Sequence, residues 1–249
     1  IDGGYAVYEG YGELIAPLVE DKPGFESLTL EAGVRYSKYE VDAGPSKETW
    51  TWKAGGNCEP GFRMKVSGNY SRAVRAPNIG ELFTPLTVAL TNLGIDPCSE
   101  DKPLLDPDLE AVCLAQGAPA GSIGLITDPT AAQANIVVGG NIDLKPEKAN
   151  TWTLGVVFVP EFLPRFSMSI DYYNIRVKDV MGAALPHDLI GACFDDIGPD
   201  SVNDPDCLAI RRNPVTGGLD GDPATTPGLF GPTTNLGELF TDGVDLIAN

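Results

Sequence analysis

The chain has 249 residues, a net charge of −18 and a hydrophobic fraction of 43%. This length allows one large or two ordinary domains. The apolar content excludes a disordered chain, and the acidity excludes a nucleic-acid binder, which needs a basic face.

Glycine (29) and proline (21) make up a fifth of the chain, which suits a fold of many turns and long loops. No run approaches the roughly 18 apolar residues of a transmembrane helix. Period-2 alternation instead marks seven strands, at about 4–16, 26–40, 46–57, 61–75, 150–160, 164–177 and 238–248. In the second, Leu28, Leu30, Ala32, Val34 and Tyr36 share one face, and Thr29, Glu31, Gly33, Arg35 and Ser37 the other. The fourth sets Phe62, Met64, Val66, Gly68 and Tyr70 against Arg63, Lys65, Ser67, Asn69 and Ser71. The fifth offers Trp152, Leu154, Val156 and Phe158, and the sixth Phe166, Met168, Ile170 and Tyr172. The shared phase predicts three antiparallel strands in one sheet over 26–75, with Leu30, Val34, Val66 and Tyr70 on the same outward face.

Such strands fit a soluble sandwich, with the apolar face in a core, or a membrane barrel, with that face in lipid. The patterned segments run about 10–14 residues, against about 5–6 in sandwiches and about 9–11 across a hydrocarbon layer. The turns "APLVEDKPGF", "NCEPGF" and "PEFLP" alternate with the connection "EVDAGPSKE" and with loops at about 77–150 and 180–235. Short turns at one end and long loops at the other mark outer-membrane barrels. Tyr36, Tyr39, Trp50 and Trp52 would gather at one rim, and Phe162 and Phe166 at the other. The alternation runs to the last residues, and single-chain barrels have even strand numbers, so the chain reads as a piece of a larger barrel.

Cys98 and Cys113 lie in one long loop, Cys193 and Cys207 in the other, and Cys58 is left over. Neither pair has zinc-site spacing. Two local disulfides pinning exposed loops are predicted, in an oxidising compartment, although four cysteines allow three connectivities. Acidic residues concentrate in the same loops: Glu100, Asp101, Asp106, Asp108 and Glu110, then Asp195, Asp196, Asp200, Asp204, Asp206, Asp220 and Asp222. They would attract cationic or metal-bearing ligands, or bind divalent ions that bridge to lipopolysaccharide. "LDGDP" and "NDPDC" bring carboxylates together without the spacing of a calcium-binding EF-hand loop. No metal or cofactor site is predicted. His187, the single histidine, lies in "ALPHDL" without the context of a hydrolase or metalloprotease motif, so no catalytic residue is assigned.

The fourth strand runs into "YSRAVRAPNIGELF", and later come "NIDLKPEKANTWTLGVVFVP" and "FSMSIDYYNIRVKDVM". These three stretches, in this order, resemble TonB-dependent outer-membrane receptors. There, a barrel strand ends in an Arg-Ala-Pro-Asn corner before Glu-Leu-Phe. The resemblance implies an all-β, antiparallel up-and-down transmembrane barrel of about 22 strands, of which this chain holds about seven, with two long disulfide-bearing extracellular loops. It implies a receptor in the outer membrane of a Gram-negative bacterium, in contact with lipid and lipopolysaccharide. A plug domain upstream of this chain would meet TonB, and a small, scarce ligand (ferric siderophore, cobalamin or carbohydrate) would be imported. The competing readings are a secreted β-sandwich binding module and an outer-membrane barrel enzyme.

The corner itself has a structural reading. Pro77 lacks an N–H and disfavours helix at Ala76, so pairing stops there. Arg72 and Arg75 are three apart and cannot share a face of a regular strand. One would face the lumen while the other snorkels or marks a bulge. Asn78 and Glu81 would bond back to the rim, with Glu81 as the expected acceptor for Arg75.

Overall fold

The computed structural model describes residues 3–23, 25–42 and 44–249, so Gly24 and Ala43, in two of the expected connections, lie outside the described residues. The chain divides into two compact units, a sheet unit (3–79, 142–181 and 235–249) and a loop unit built from 80–141 and 182–234.

The sheet unit is one antiparallel sheet of seven strands. These are β1 (Tyr5–Lys22), β2 (Phe25–Val41), β3 (Lys47–Glu59), β4 (Met64–Arg75), β7 (Glu147–Phe158), β8 (Met168–Lys178) and β12 (Glu238–Ala248), hydrogen-bonded in that order. The gaps in numbering are filled by β5 (Thr87–Asn92), β6 (Gln133–Val138), β9 (Met181–Ala183), β10 (Leu229–Phe230) and β11 (Thr233–Asn235). The sheet is therefore an up-and-down meander into which the loops are inserted. β1 continues to Lys22, and its Pro17 sits at a register shift, where a missing N–H is tolerated. β4 starts three residues later than expected, because Phe62 and Arg63 take positive φ in the turn before it. Phe166 likewise precedes β8.

Register explains the two faces. Leu30 faces Gly56, Gly56 faces Gly68, Gly68 faces Leu154, Leu154 faces Tyr172 and Tyr172 faces Val244. Even-numbered positions from β2 to β12 therefore share one face, as expected for Leu30, Val34, Val66 and Tyr70. That face is apolar yet open: Leu30, Val34, Trp152, Leu154, Ile170, Val244 and Leu246 are all exposed. The odd face is polar, with Lys53 reaching Glu13 (3.4 Å) and Glu31 (3.7 Å), and Arg35 near Glu9 (3.9 Å). Where β3 and β4 come closest, both are glycine-lined; a Cβ at Gly55 would stand 2.7 Å from the Gly68 carbonyl.

The loop unit has what the sheet lacks, a core. Of the fifteen buried apolar residues among those described, all but Leu144 and Met181 belong to it. β5, β6 and β10 form a three-stranded sheet, with β10 parallel to β6. Its Ala134, Ile136 and Leu229 share a core cluster with Val112, Ile210 and Leu219. Its helices are α1 (Ile79–Phe83, whose first residue falls in the sheet unit), α2 (Lys102–Leu105), α3 (Pro107–Ala115), α4 (Pro186–Phe194) and α5 (Pro205–Leu208). Cys98 bonds to Cys113 and Cys193 to Cys207. The expectation that these bridges pin exposed loops is corrected: all four cysteines are at most 3% exposed, and Phe194 packs against both clusters that contain them. The residues that looked like polar loop had enough apolar side chains to fold once the two segments were combined.

Candidate functional site: an acidic loop unit and a polar sheet face

The loop unit's two segments carry sixteen Asp and Glu residues against three Lys and Arg, so thirteen of the chain's eighteen net negative charges reside there. Many of the carboxylates have backbone work. Asp106 caps α3, accepting from the Asp108 (3.0 Å) and Leu109 (3.3 Å) amides. Asp204 caps α5 through the Asp206 amide (2.8 Å). Both helices begin Asp-Pro-Asp, with the proline at the first turn, where its missing N–H is harmless. Asp220 accepts from the Thr130 amide and Asp222 from the Ala224 amide, each at 2.9 Å. Asp204, Asp220 and Asp222 of "NDPDC" and "LDGDP" thus bond backbone amides, and no group of three metal-ligating side chains converges among the described residues.

At the unit's centre lies a pair the sequence reading did not single out. Arg212 and Asp96, both fully buried, meet through two hydrogen bonds (2.6 and 2.8 Å). Arg212 Nε donates to Gln116 Oε1 (2.8 Å) and Nη1 to the Gly217 carbonyl (3.1 Å), while Asp96 accepts from the Cys98 amide (2.9 Å). This network joins residues of the first long loop to residues of the second. A signal was available: Arg211 and Arg212 are the only Lys or Arg in the acidic stretch 182–234. Next to it, Asp128 accepts from the Asp96 amide (2.9 Å). That amide, with the Ser99 hydroxyl and the Lys102 ammonium beyond it, holds the Asp128 carboxyl below its ordinary range.

Concave regions lie both in the loop unit and on the sheet. In the loop unit, a cavity of 260 Å³ is lined by Asn141, Leu189, Asp206, Phe230 and Thr234, among others. It is mostly apolar, with one carboxylate. On the polar face of the sheet, a 340 Å³ depression is lined by Tyr11, Glu13, Arg35, Lys53 and Ser71, with the Arg35 guanidinium 5.7 Å from the Tyr11 ring centre. His187 is exposed near the start of α4.

The residues of the corner separate as their spacing requires. The β4–β7 register is unbroken from Met64 to Arg75, so no bulge intervenes. Arg72 lies on the apolar face, directly opposite Trp52 and Asn150. Arg75 lies on the other face, opposite Glu147, and holds it through Nε and Nη2, both at 2.7 Å. Glu147, 72 positions on, is thus an acceptor that proximity along the chain does not offer, and it also takes the Met181 amide (2.8 Å). Glu81, the acceptor expected from the sequence, lies in α1, and its carbonyl accepts from the Asn141 amide. Pro77 is two residues past the last ladder pair, and Asn78 follows it just before α1.

A meandering sheet of long strands with one lipid-compatible face, carrying a disulfide-braced loop unit, defines a β-barrel receptor wall. Residues 5–248 match the family described as TonB dependent receptor-like, beta-barrel, and the chain belongs to that family. A comparison with curated proteins returns no match. Among solved structures, the siderophore receptor PirA of Acinetobacter baumannii aligns with a TM-score of 0.55 at 17% identity, over 98% of this chain and 25% of that one. A variant of the ferric enterobactin receptor PfeA of Pseudomonas aeruginosa aligns at 0.52 and 14% identity (96% and 24%). The Serratia marcescens hemophore receptor HasR, in complex with HasA and heme, aligns at 0.50 and 15% identity (99% and 32%). The chain thus spans a quarter to a third of the length of these structures, and at such identity the likeness is one of fold.

Proposed function

We propose that this chain is part of the wall and outer loops of a Gram-negative outer-membrane receptor that captures a scarce ligand and imports it with TonB-delivered energy. The observation that supports the membrane reading is the sheet unit's missing core: seven strands present an apolar face whose side chains are exposed among the described residues. In water such a face is a liability, and in a bilayer it is the required surface. A sandwich would need a second sheet packed on it at about 10 Å, and the sheet unit contains none.

The acidic loop unit favours cationic or metal-bearing ligands over anionic chelates. Ferric siderophores of net positive charge fit this better than anionic ones, with cobalamin and carbohydrates as neutral alternatives. The test is uptake by cells expressing the full-length receptor, with cationic and anionic chelates of one metal compared in TonB-positive and TonB-negative strains. Uptake of the cationic chelate that requires TonB and weakens as salt rises is expected. TonB-independent uptake, or preference for the anionic chelate, overturns the reading.

A further inference from the structure

On β4 and β7 the apolar face of the sheet changes character within one residue row. A ladder of rings crosses it: Trp52 meets Tyr70 edge-on at 4.7 Å, and Tyr70 stacks on Trp152 at 4.0 Å. On its loop-ward side the next even-numbered row carries a polar and basic run between Trp52 on β3 and Phe240 on β12: Arg72 on β4, Asn150 on β7 and Arg176 on β8, each directly opposite the next. The row beyond carries Lys148, opposite Val74 and Lys178. From the strand spacing, Arg72 and Arg176 are about 10 Å apart.

The charges of this belt do not balance. Arg176 and Lys178 share Glu238, and Lys148 stands 3.7 Å from Asp179. The Arg72 Nε–H is shielded from solvent and has no hydrogen-bond partner among the described residues. A shielded, unpaired guanidinium donor is costly. It contrasts with Arg75, three residues along, whose Nε and Nη2 both donate to Glu147 on the other face. The β3–β4 ladder also ends at the Trp52–Arg72 pair, although β3 continues to Lys47 and β4 to Arg75 along their outer neighbours. The wall therefore opens beside Arg72.

We propose that this row is a binding site for the phosphate of a membrane lipid headgroup, with Arg72 as the principal donor, Asn150 and Arg176 flanking it and Lys148 above. Aromatic rings mark the depth at which headgroups begin, and a guanidinium can hold phosphate through two donors at once. The row lies on an open apolar face with no enclosing wall, so its ligand is a phosphate carried on acyl chains, not a free anion. The site rests on the membrane reading above, and its test separates the two.

The full-length protein is reconstituted into phosphatidylcholine nanodiscs containing either diphosphoryl lipid A or its dephosphorylated form, and retained lipid is measured by native mass spectrometry across a salt series. Preferential, salt-sensitive retention of the phosphorylated probe is expected. Arg72→Gln and Arg176→Gln should each weaken it about fivefold. Arg72→Lys should recover part of the loss, and Lys65→Gln, on the opposite face of the same strand, should change nothing. Equal retention of both probes by the wild-type protein overturns the proposal without reference to any variant. So does displacement by inorganic phosphate at equal concentration, which would mark a free-anion site, or undiminished binding by a folded Arg72→Gln protein. A protein that never enters the discs overturns the membrane reading, and this site with it.

Discussion

At the scale of single residues, the loop unit depends on its buried ion pair. Replacing Arg212 by Ala leaves Asp96 as a buried, uncompensated carboxylate, and a half-pair of this kind costs about 3–5 kcal/mol. Hydrogen exchange should therefore speed up across 80–141 and 182–234 in Arg212→Ala, while the sheet strands stay protected. Joint replacement with Asp96→Asn and Arg212→Met should recover much of that protection, because no unpaired charge remains. Equal damage from the single and double variants would show that packing, not charge, is the issue. Asp128 adds a pH dependence of known sign. Its folded pKa is depressed, so its contribution is complete above the ordinary value of 3.8 and is lost as pH falls below it. Protease sensitivity of the loop unit should rise as pH drops from 5 to about 3, and Asp128→Asn should remove part of that rise. Neither effect could be read along the chain. Arg212 and Asp96 lie 116 positions apart, and Glu147, one acceptor of Arg75, is 72 positions away; only strand register or a folded loop unit brings such partners together.

At the scale of elements, strands were far more legible than loops. A strand advertises itself by alternation whatever it packs against, so the seven long strands are all present and their faces fall as expected, although β1 runs six residues past its expected end and β8 starts four residues late. The errors fall at the turns, where Phe62, Arg63 and Arg165 adopt positive φ that alternation does not encode. The loop segments are built from helices of four to nine residues and strands of two to six, too short for any period to emerge. Their readable clue was chemical: "DPD" twice, an N-cap aspartate followed by proline at the first turn. Asp106→Ala should cost about 1 kcal/mol through loss of the cap, seen as faster amide exchange at Asp108 and Leu109. Asp204→Ala should act similarly at Asp206. Unchanged exchange at those amides would mean the prolines and the disulfides alone hold the helix starts.

At the scale of the whole molecule, the division between a coreless sheet and a cored loop unit decides where a charge can be placed. Thr153 and Leu154 are adjacent on β7 and both exposed, so burial does not distinguish them. Register does: Thr153 lies between Asn69 and Tyr173 on the polar face, and Leu154 between Gly68 and Tyr172 on the apolar one. In a soluble sheet with both faces wet, a lysine at either position would cost little. In a bilayer, Leu154→Lys places a cation in hydrocarbon at about 2–4 kcal/mol if near the midplane, whereas Thr153→Lys lines the interior at little cost. Full-length protein carrying Leu154→Lys should therefore melt earlier in lipid bilayers, with Thr153→Lys close to wild type. In short-chain detergent, whose looser packing lets the lysine reach water, the gap should narrow. If both variants behave alike in bilayers, the even-numbered face does not meet lipid, and the apolar stripe from Leu30 to Val244 must be covered by protein instead.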